Sequence, residues 1–277
     1  MIEKNKKFLP VAIICILGIC LSGCNNKKEA VIVSEELTTQ SVLAADLVDK
    51  SNNEKFDIKD LTMDNLKLFM TEEEVIKLLG EPVTKLDSSE VVDKKKDAAL
   101  EDDKDEYFER VYSYNELSLI FIKLDNENHM VDSVNEEGTY KLTAVASLSE
   151  KNVFSRGLKV GNSIDDILDK YYRDQDYKSK YYKEDDGTII GNYLYGDATI
   201  DSVGDDKIVK SSQYAVIDFT GYSSLKTADE YIITFTSFDD NEASDKVEID
   251  DAFAQLTFDM NNDGNITAIR WYYYPED

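Results

Sequence analysis

The chain has 277 residues, enough for one large domain or two ordinary ones, with 57 acidic side chains against 31 basic and a net charge of −26. A field of that sign repels nucleic-acid backbones and anionic headgroups, so neither is an expected partner. A single histidine, His129, rules out a histidine-built metal cluster.

The first element is an export signal. Residues 1–24 carry Lys4, Lys6 and Lys7 ahead of an apolar run from Val11 to Leu21 and close with small residues. The run from Phe8 to Gly23 is shorter than the roughly 20 apolar residues a membrane span needs, and a polar "NNKKE" follows it at once. The ending Leu21-Ser22-Gly23-Cys24 resembles a bacterial lipobox. That resemblance implies cleavage after Gly23, a diacylglyceryl group on the sulfur of Cys24, and a chain held by lipid at the extracytoplasmic face of the cell membrane; two acyl chains anchor stably where one does not. Cys15 and Cys20 fall in the removed segment, so the processed chain is expected to hold no disulfide. It loses three lysines and one glutamate, leaving 28 basic against 56 acidic residues and a net charge of −28. Such a surface reads first as a solubility device.

Residues 24–57 are polar, with "NNKKE" at one end and "DKSNNEKFD" at the other, and read as a tether. Within them Leu37, Val42, Leu43, Leu47 and Val48 fit a helical stripe only loosely. A first module is expected over 58–150. Its "MTEEEVIKLLGEP", residues 70–82, predicts a helix: Thr71 caps it, Glu74 completes a capping box, Val75, Leu78 and Leu79 share a face, and Gly80 and Pro82 end it. After the charged loop "DKKKDAALEDDKDE" come the strands "ERVYSY", "LSLIFIKL" and "YKLTAVASL", with an insertion in the last turn around "NENHMVDSVNEEG".

A second module over 151–277 restates this order. "KVGNSIDDILDKYY", residues 159–172, has Ser163 as cap, Asp166 three residues on, and Ile164, Ile167, Leu168 and Tyr171 on one stripe. The strands "NYLYG", "QYAVIDFTGY", "EYIITFTSF", "QLTFDM" and "ITAIRWYYY" follow. Tyr112-Ser113-Tyr114 pairs with Tyr193-Leu194-Tyr195, Leu119-Ile120-Phe121 with Leu256-Thr257-Phe258, and Leu142-Thr143-Ala144-Val145 with Ile266-Thr267-Ala268-Ile269. The expected fold class is α+β: two tandem modules joined near 148–158, each with a helix or helix pair packed on one face of an antiparallel sheet.

The capped helix "M-T-x-x-E-V-x-x-x-L-G-x-P", followed by antiparallel strands, an Asn-Asp-Gly turn and a final "I-T-x-I" strand, resembles the repeat of β-lactamase inhibitory protein and the small outer-membrane-assembly lipoproteins. With "R-G-L-K-V-G-N-S", Arg156 to Ser163, leading the second helix, the tandem arrangement is similar to a type of Firmicute lipoprotein. The resemblance spans residues 60–277. It departs from a strict repeat at Tyr172, where the first copy has Gly80, and at Gly157, which the first copy lacks. It implies a fold and a habit of binding proteins. It implies no catalytic residue, and β-lactamase inhibition is not carried over because no partner-contact residue is matched.

"DMNNDGN" begins like a calcium loop, with Asp259, Asn261, Asp263 and Gly264 at the positions such a loop requires, but its twelfth position is Arg270 where a bidentate glutamate belongs. The flanking strand patterns favour a hairpin, with glycine at positive φ. His129 lies in a polar turn, Ser163 is a cap rather than a nucleophile, and no carboxylate pair stands out among 56 acids. No catalytic, metal or cofactor site is therefore expected. The aromatic supply has more to say. Tyr171, Tyr172, Tyr177, Tyr181 and Tyr182 cluster after the second helix, and alternation at the end of the chain puts Ile269, Trp271 and Tyr273 on one face and Tyr272 and Tyr274 on the other. The expected function is a lipid-anchored binding or scaffolding protein whose partner is an unidentified envelope protein. The alternative is a calcium-responsive envelope sensor using the acidic loops.

Overall fold

The computed structural model describes residues 53–87, 108–131, 137–183, 187–203, 206–219, 230–238, 247–248 and 252–275, all within the compact unit Asp49–Asp277. The expected export signal, Cys24, the rest of the chain up to residue 52 and the run 88–107 lie outside them. No helix among the described residues is long and apolar enough to cross a membrane.

Ten strands form one antiparallel sheet. In chain order they are β3 (Thr84–Asp87), β4 (Glu109–Ser113), β5 (Leu117–Leu124), β6 (Thr139–Ser147), β7 (Tyr181–Lys183), β8 (Ile189–Tyr195), β11 (Gln213–Asp218), β12 (Glu230–Phe238), β14 (Phe253–Asn261) and β15 (Ile266–Tyr274). A short hairpin, β1 (Thr62–Met63) with β2 (Leu66–Lys67), and a small sheet of β9 (Ile200–Val203), β10 (Asp206–Val209) and β13 (Val247–Glu248) complete the strands. The order across the large sheet is β3-β4-β5-β6-β15-β14-β12-β11-β8-β7. Each half of the chain thus folds back and forth beside itself, and the halves meet where their last strands, β6 and β15, pair.

The expected α+β class gives way here: the fold is mostly β, and the α-helices among the described residues are α1 (Glu72–Leu79) and α2 (Ile164–Lys170), two turns each. Both capping boxes form. Thr71 Oγ1 accepts from Glu74 N at 3.3 Å and Ser163 Oγ from Asp166 N at 3.2 Å. Gly80 ends α1 as expected, but the helices are short beside the strands, and only Val75, Ile167 and Leu168 of them are buried. Nor are there two cores. One apolar cluster runs from Leu119, Phe121 and Val145 through Trp271, Leu256 and Phe235 to Leu194 and Ala215, covered by Phe56, Leu61, Met63, Leu66, Phe154 and Leu158. Phe56, inside the expected tether 24–57, is fully buried.

The halves nonetheless share their backbone devices. Thr143 is skipped when β5 pairs with β6 (Ile120 with Ala144, then Phe121 with Leu142), and Thr267 is skipped when β14 pairs with β15 (Asp259 with Ala268, then Met260 with Ile266). These are β-bulges, and in both the threonine hydroxyl donates across the bulge, Thr143 to the Ile120 carbonyl at 3.4 Å and Thr267 to the Asp259 carbonyl at 3.2 Å. This is the physical content of "L-T-A-V" and "I-T-A-I". The turns match as well. Asp125 Oδ1 accepts from Glu127 N and His129 N at 2.7 and 3.0 Å, as Asn261 Oδ1 does from Asp263 N and Asn265 N at 3.1 and 2.9 Å. The left-handed residue falls three places on in each, Asn128 at φ 72° and Gly264 at φ 77°. The insertion in the first half therefore follows an intact turn, beyond Met130, which still pairs with Leu124.

Upstream, Leu142 exchanges backbone bonds with Phe69 and Met70 as Ile266 does with Gly161 and Asn162, and positive φ recurs at Phe69 and Gly161 and at Asp64 and Arg156. Two of the expected correspondences shift. Leu119 answers to Phe258, since Val145 and Ile269, their partners, are equivalent. By its place from the β6–β15 joint, β4 answers to β12 rather than to the strand holding Tyr193.

Candidate interaction face

Helices, hairpin and covering segments pack on one face of the sheet, where Ile269, Trp271 and Tyr273 point. Arg270, Tyr272 and Tyr274 point to the other. The strand register extends that second face sideways. Tyr272 lies opposite Gln255, Gln255 opposite Thr236, and Thr236 opposite Tyr214. Hydrogen bonds run along the row: the Tyr272 hydroxyl to Gln255 Oε1, Gln255 Nε2 to Thr236 Oγ1 at 3.1 Å, and Thr236 with the Tyr214 hydroxyl. Burial holds the phenols of Tyr272 and Tyr214 above the usual tyrosine range. The next row is Arg270, Thr257, Thr234, Val216 and Tyr193. On the far side of the first row, Phe253 stacks on Tyr274 with centroids 5.5 Å apart and meets Phe238 at 5.6 Å and Tyr272 at 5.8 Å. These four aromatic side chains are each half-buried.

Arg270 Nη2 donates to Asp259 Oδ1 in an ion pair that is itself mostly buried. Burial raises the Asp259 pKa, only partly offset by the guanidinium. Arg270 Nε is buried without an acceptor. This pair settles what the "DMNNDGN" residues do. The arginine at the twelfth position neutralises the carboxylate at the first, Asn261 Oδ1 is committed to backbone amides, and Gly264 lies at the φ the turn demands. The stretch is a hairpin. No group of three or more potential metal-ligating side chains occurs among the described residues.

His129 is half-exposed, with Nδ1 3.5 Å from Asp125 Oδ2, and Ser163 is bonded as the α2 cap. The tyrosines after α2 do not form one surface. Tyr171 is in the core with its ring 4.4 Å from Phe235, Tyr172 and Tyr177 are half-buried, and Tyr181 is exposed on the edge strand β7. Cys24 lies outside the described residues.

Two polar hubs join residues whose pairing has no sequence signal. Arg156 donates through Nη2 and Nε to both oxygens of Asp60 at 2.7 and 3.1 Å, reaches the carbonyls of Glu54, Lys55 and Lys170 at 2.8 to 2.9 Å, and stacks over Tyr171 at 4.0 Å. Arg110 joins Glu72 at 2.7 Å and Asp87 at 3.1 Å and lies 3.8 Å over the Tyr140 ring. Arg156 was visible as part of "R-G-L-K-V-G-N-S", but nothing local announces a partner 96 residues away. Comparison of the chain with protein-family models, curated proteins and solved structures found no match.

Proposed function

We propose that the protein is a lipid-anchored extracytoplasmic binding or scaffolding lipoprotein, carried on Cys24, that engages an envelope protein through the second face of its sheet and performs no catalysis. The observation that carries the binding role is the composition of that face. Its middle, at Thr234, Thr236 and Thr257, is buried, and the part left partly open is aromatic: Phe238, Phe253, Tyr272 and Tyr274 are each half-buried. Tyrosine, arginine and phenylalanine are the residues enriched at protein interfaces. The resemblance to the β-lactamase inhibitory protein repeat supports the same reading. The Asp259–Arg270 pair and the filled Asn261 turn give the calcium-sensor alternative no support.

Two experiments test it. Cys24→Ala is expected to abolish lipid labelling and release the protein from membranes; retention would remove the lipoprotein assignment. Capture from envelope extracts is expected to yield a specific protein with the native chain and to lose it with Phe253→Glu and Tyr274→Glu, circular dichroism confirming that the variants fold. Equal capture would move the binding surface elsewhere.

A further inference from the structure

The pairing of β6 with β15 is self-complementary in register. Ile269 lies opposite Ser147 and Trp271 opposite Val145. By the bulges and turns above, Val145 is the equivalent of Ile269 and Ser147 the equivalent of Trp271. Each pair is therefore the other with the halves exchanged, and a local pseudo-two-fold axis passes through the remaining central pair, Ala146 opposite Arg270. That is the geometry of an isologous dimer interface. A strand able to pair this way with its equivalent in the other half has the shape to pair with its own copy in a second molecule.

We infer that Arg270 is the residue that prevents this, so that β15 accepts β6 and refuses another β15. In a β15–β15 pair about the same axis, the axial residue faces itself. Two arginines would stand directly opposite, with Cβ atoms about 5 Å apart, on a face where each guanidinium is mostly buried, and like charges so placed repel. Against β6 the same arginine meets the methyl group of Ala146, and its charge is matched from its own half by Asp259. The first half shows what an unguarded version looks like. Ala146 stands where the second half has Arg270, and Ile120 where it has Asp259, each of the latter pair receiving the bulge threonine. The ion pair, with its unaccepted Nε, is a poor device for stability in a buried sheet; its use is to make the two halves distinguishable. One arginine suffices, because a closed dimer of like halves needs the β15–β15 contact as well as the β6–β6 one.

The test uses the processed chain with Cys24→Ser, which then contains no cysteine. Asp259→Ile with Arg270→Ala installs the first-half residues in the second half. Refolded at high concentration, this double variant is expected to form a concentration-dependent dimer by light scattering, where the parent stays monomeric. Asp259→Ile with Arg270→Cys is expected to give an interchain disulfide between the two Cys substitutions, a product that exchange of halves through the native β6–β15 pairing cannot give. A folded, wholly monomeric double variant, or a dimer that does not cross-link, overturns the inference. Should the double variant not fold, Ala146→Arg in the native chain places the same two charges across the axis. Its melting temperature is expected to drop by several degrees and to recover partly at high salt. An unchanged melting temperature, or a loss that salt does not touch, overturns it equally.

Discussion

The first and second halves of this sheet are built on the same backbone and filled with different chemistry. Both turn on an Asx side chain that takes two amide protons, and both kink at a bulge closed by a threonine hydroxyl. Beside those shared hinges, the first half has Ile120 and Ala146 where the second has Asp259 and Arg270. The left-handed turn before each helix holds Asp64 in one half and Arg156 in the other. The shared devices all satisfy main-chain groups, which any sequence must do to make the bend, whereas side chains at the same stations are free to serve packing, clamping or recognition.

The sharpest way to break the comparison is at the two left-handed positions. Arg156 and Asp60 are nearly buried, and Arg156→Ala leaves the carboxylate there without its partner, so a loss of about 3–5 kcal/mol is expected in urea unfolding. Asp64, whose carboxylate accepts only a 3.3 Å bond from Val153 N at the surface, should cost under about 1 kcal/mol when changed to alanine. Similar losses at both sites would mean that the turn itself, and not the clamp, carries the stability. The bulges come next. Thr143→Val removes a buried hydroxyl bond and is expected to cost about 1 kcal/mol, and Thr267→Val about half that, because its exposed neighbourhood lets water replace the hydroxyl. A larger effect at Thr267 would contradict their common role.

The smallest effect concerns the α2 cap. The backbone and hydroxyl of Ser163, with Lys170 nearby, hold the Asp166 carboxyl below its ordinary range. A carboxylate with a depressed folded pKa stabilises the native state above its unfolded value of about 3.9, and that contribution is lost as pH falls through the lower folded value. Asp166→Asn is therefore expected to flatten the acid limb of stability against pH by lowering stability in the neutral region while leaving the acid end little changed. An acid limb identical to that of the native chain would show that the cap does not titrate with folding.

Much of this was legible along the chain wherever the cause is local. Thr71 with Glu74 and Ser163 with Asp166 announce helix starts, the alternation in "ITAIRWYYY" separates Trp271 from Tyr272, and Arg270 at the twelfth position removes the calcium loop. The end of α1 at Gly80 was legible too, but not how little of the helix would be buried: the apolar stripe in "EEEVIKLL" continues past Val75, leaving Leu78 and Leu79 exposed. The fusion of two sheets into one was also hidden, since pairing of β6 with β15 depends on register between segments far apart in sequence. Of the candidate face, the tyrosines were visible but their row was not; Gln255, Thr236 and Tyr214 join Tyr272 only through cross-strand neighbours.

The burial of Phe56 has a mechanical side. Phe56 N donates to the Tyr195 hydroxyl, Gln213 Nε2 reaches its carbonyl, Tyr172 N bonds the Glu54 carbonyl, and Arg156 grips the carbonyls of Glu54 and Lys55. A tug arriving from upstream of residue 53 thus meets the folded body at a bolted joint rather than at a trailing end. The load passes to Tyr195 and Arg156, both in the second half, before any strand of the first half feels it.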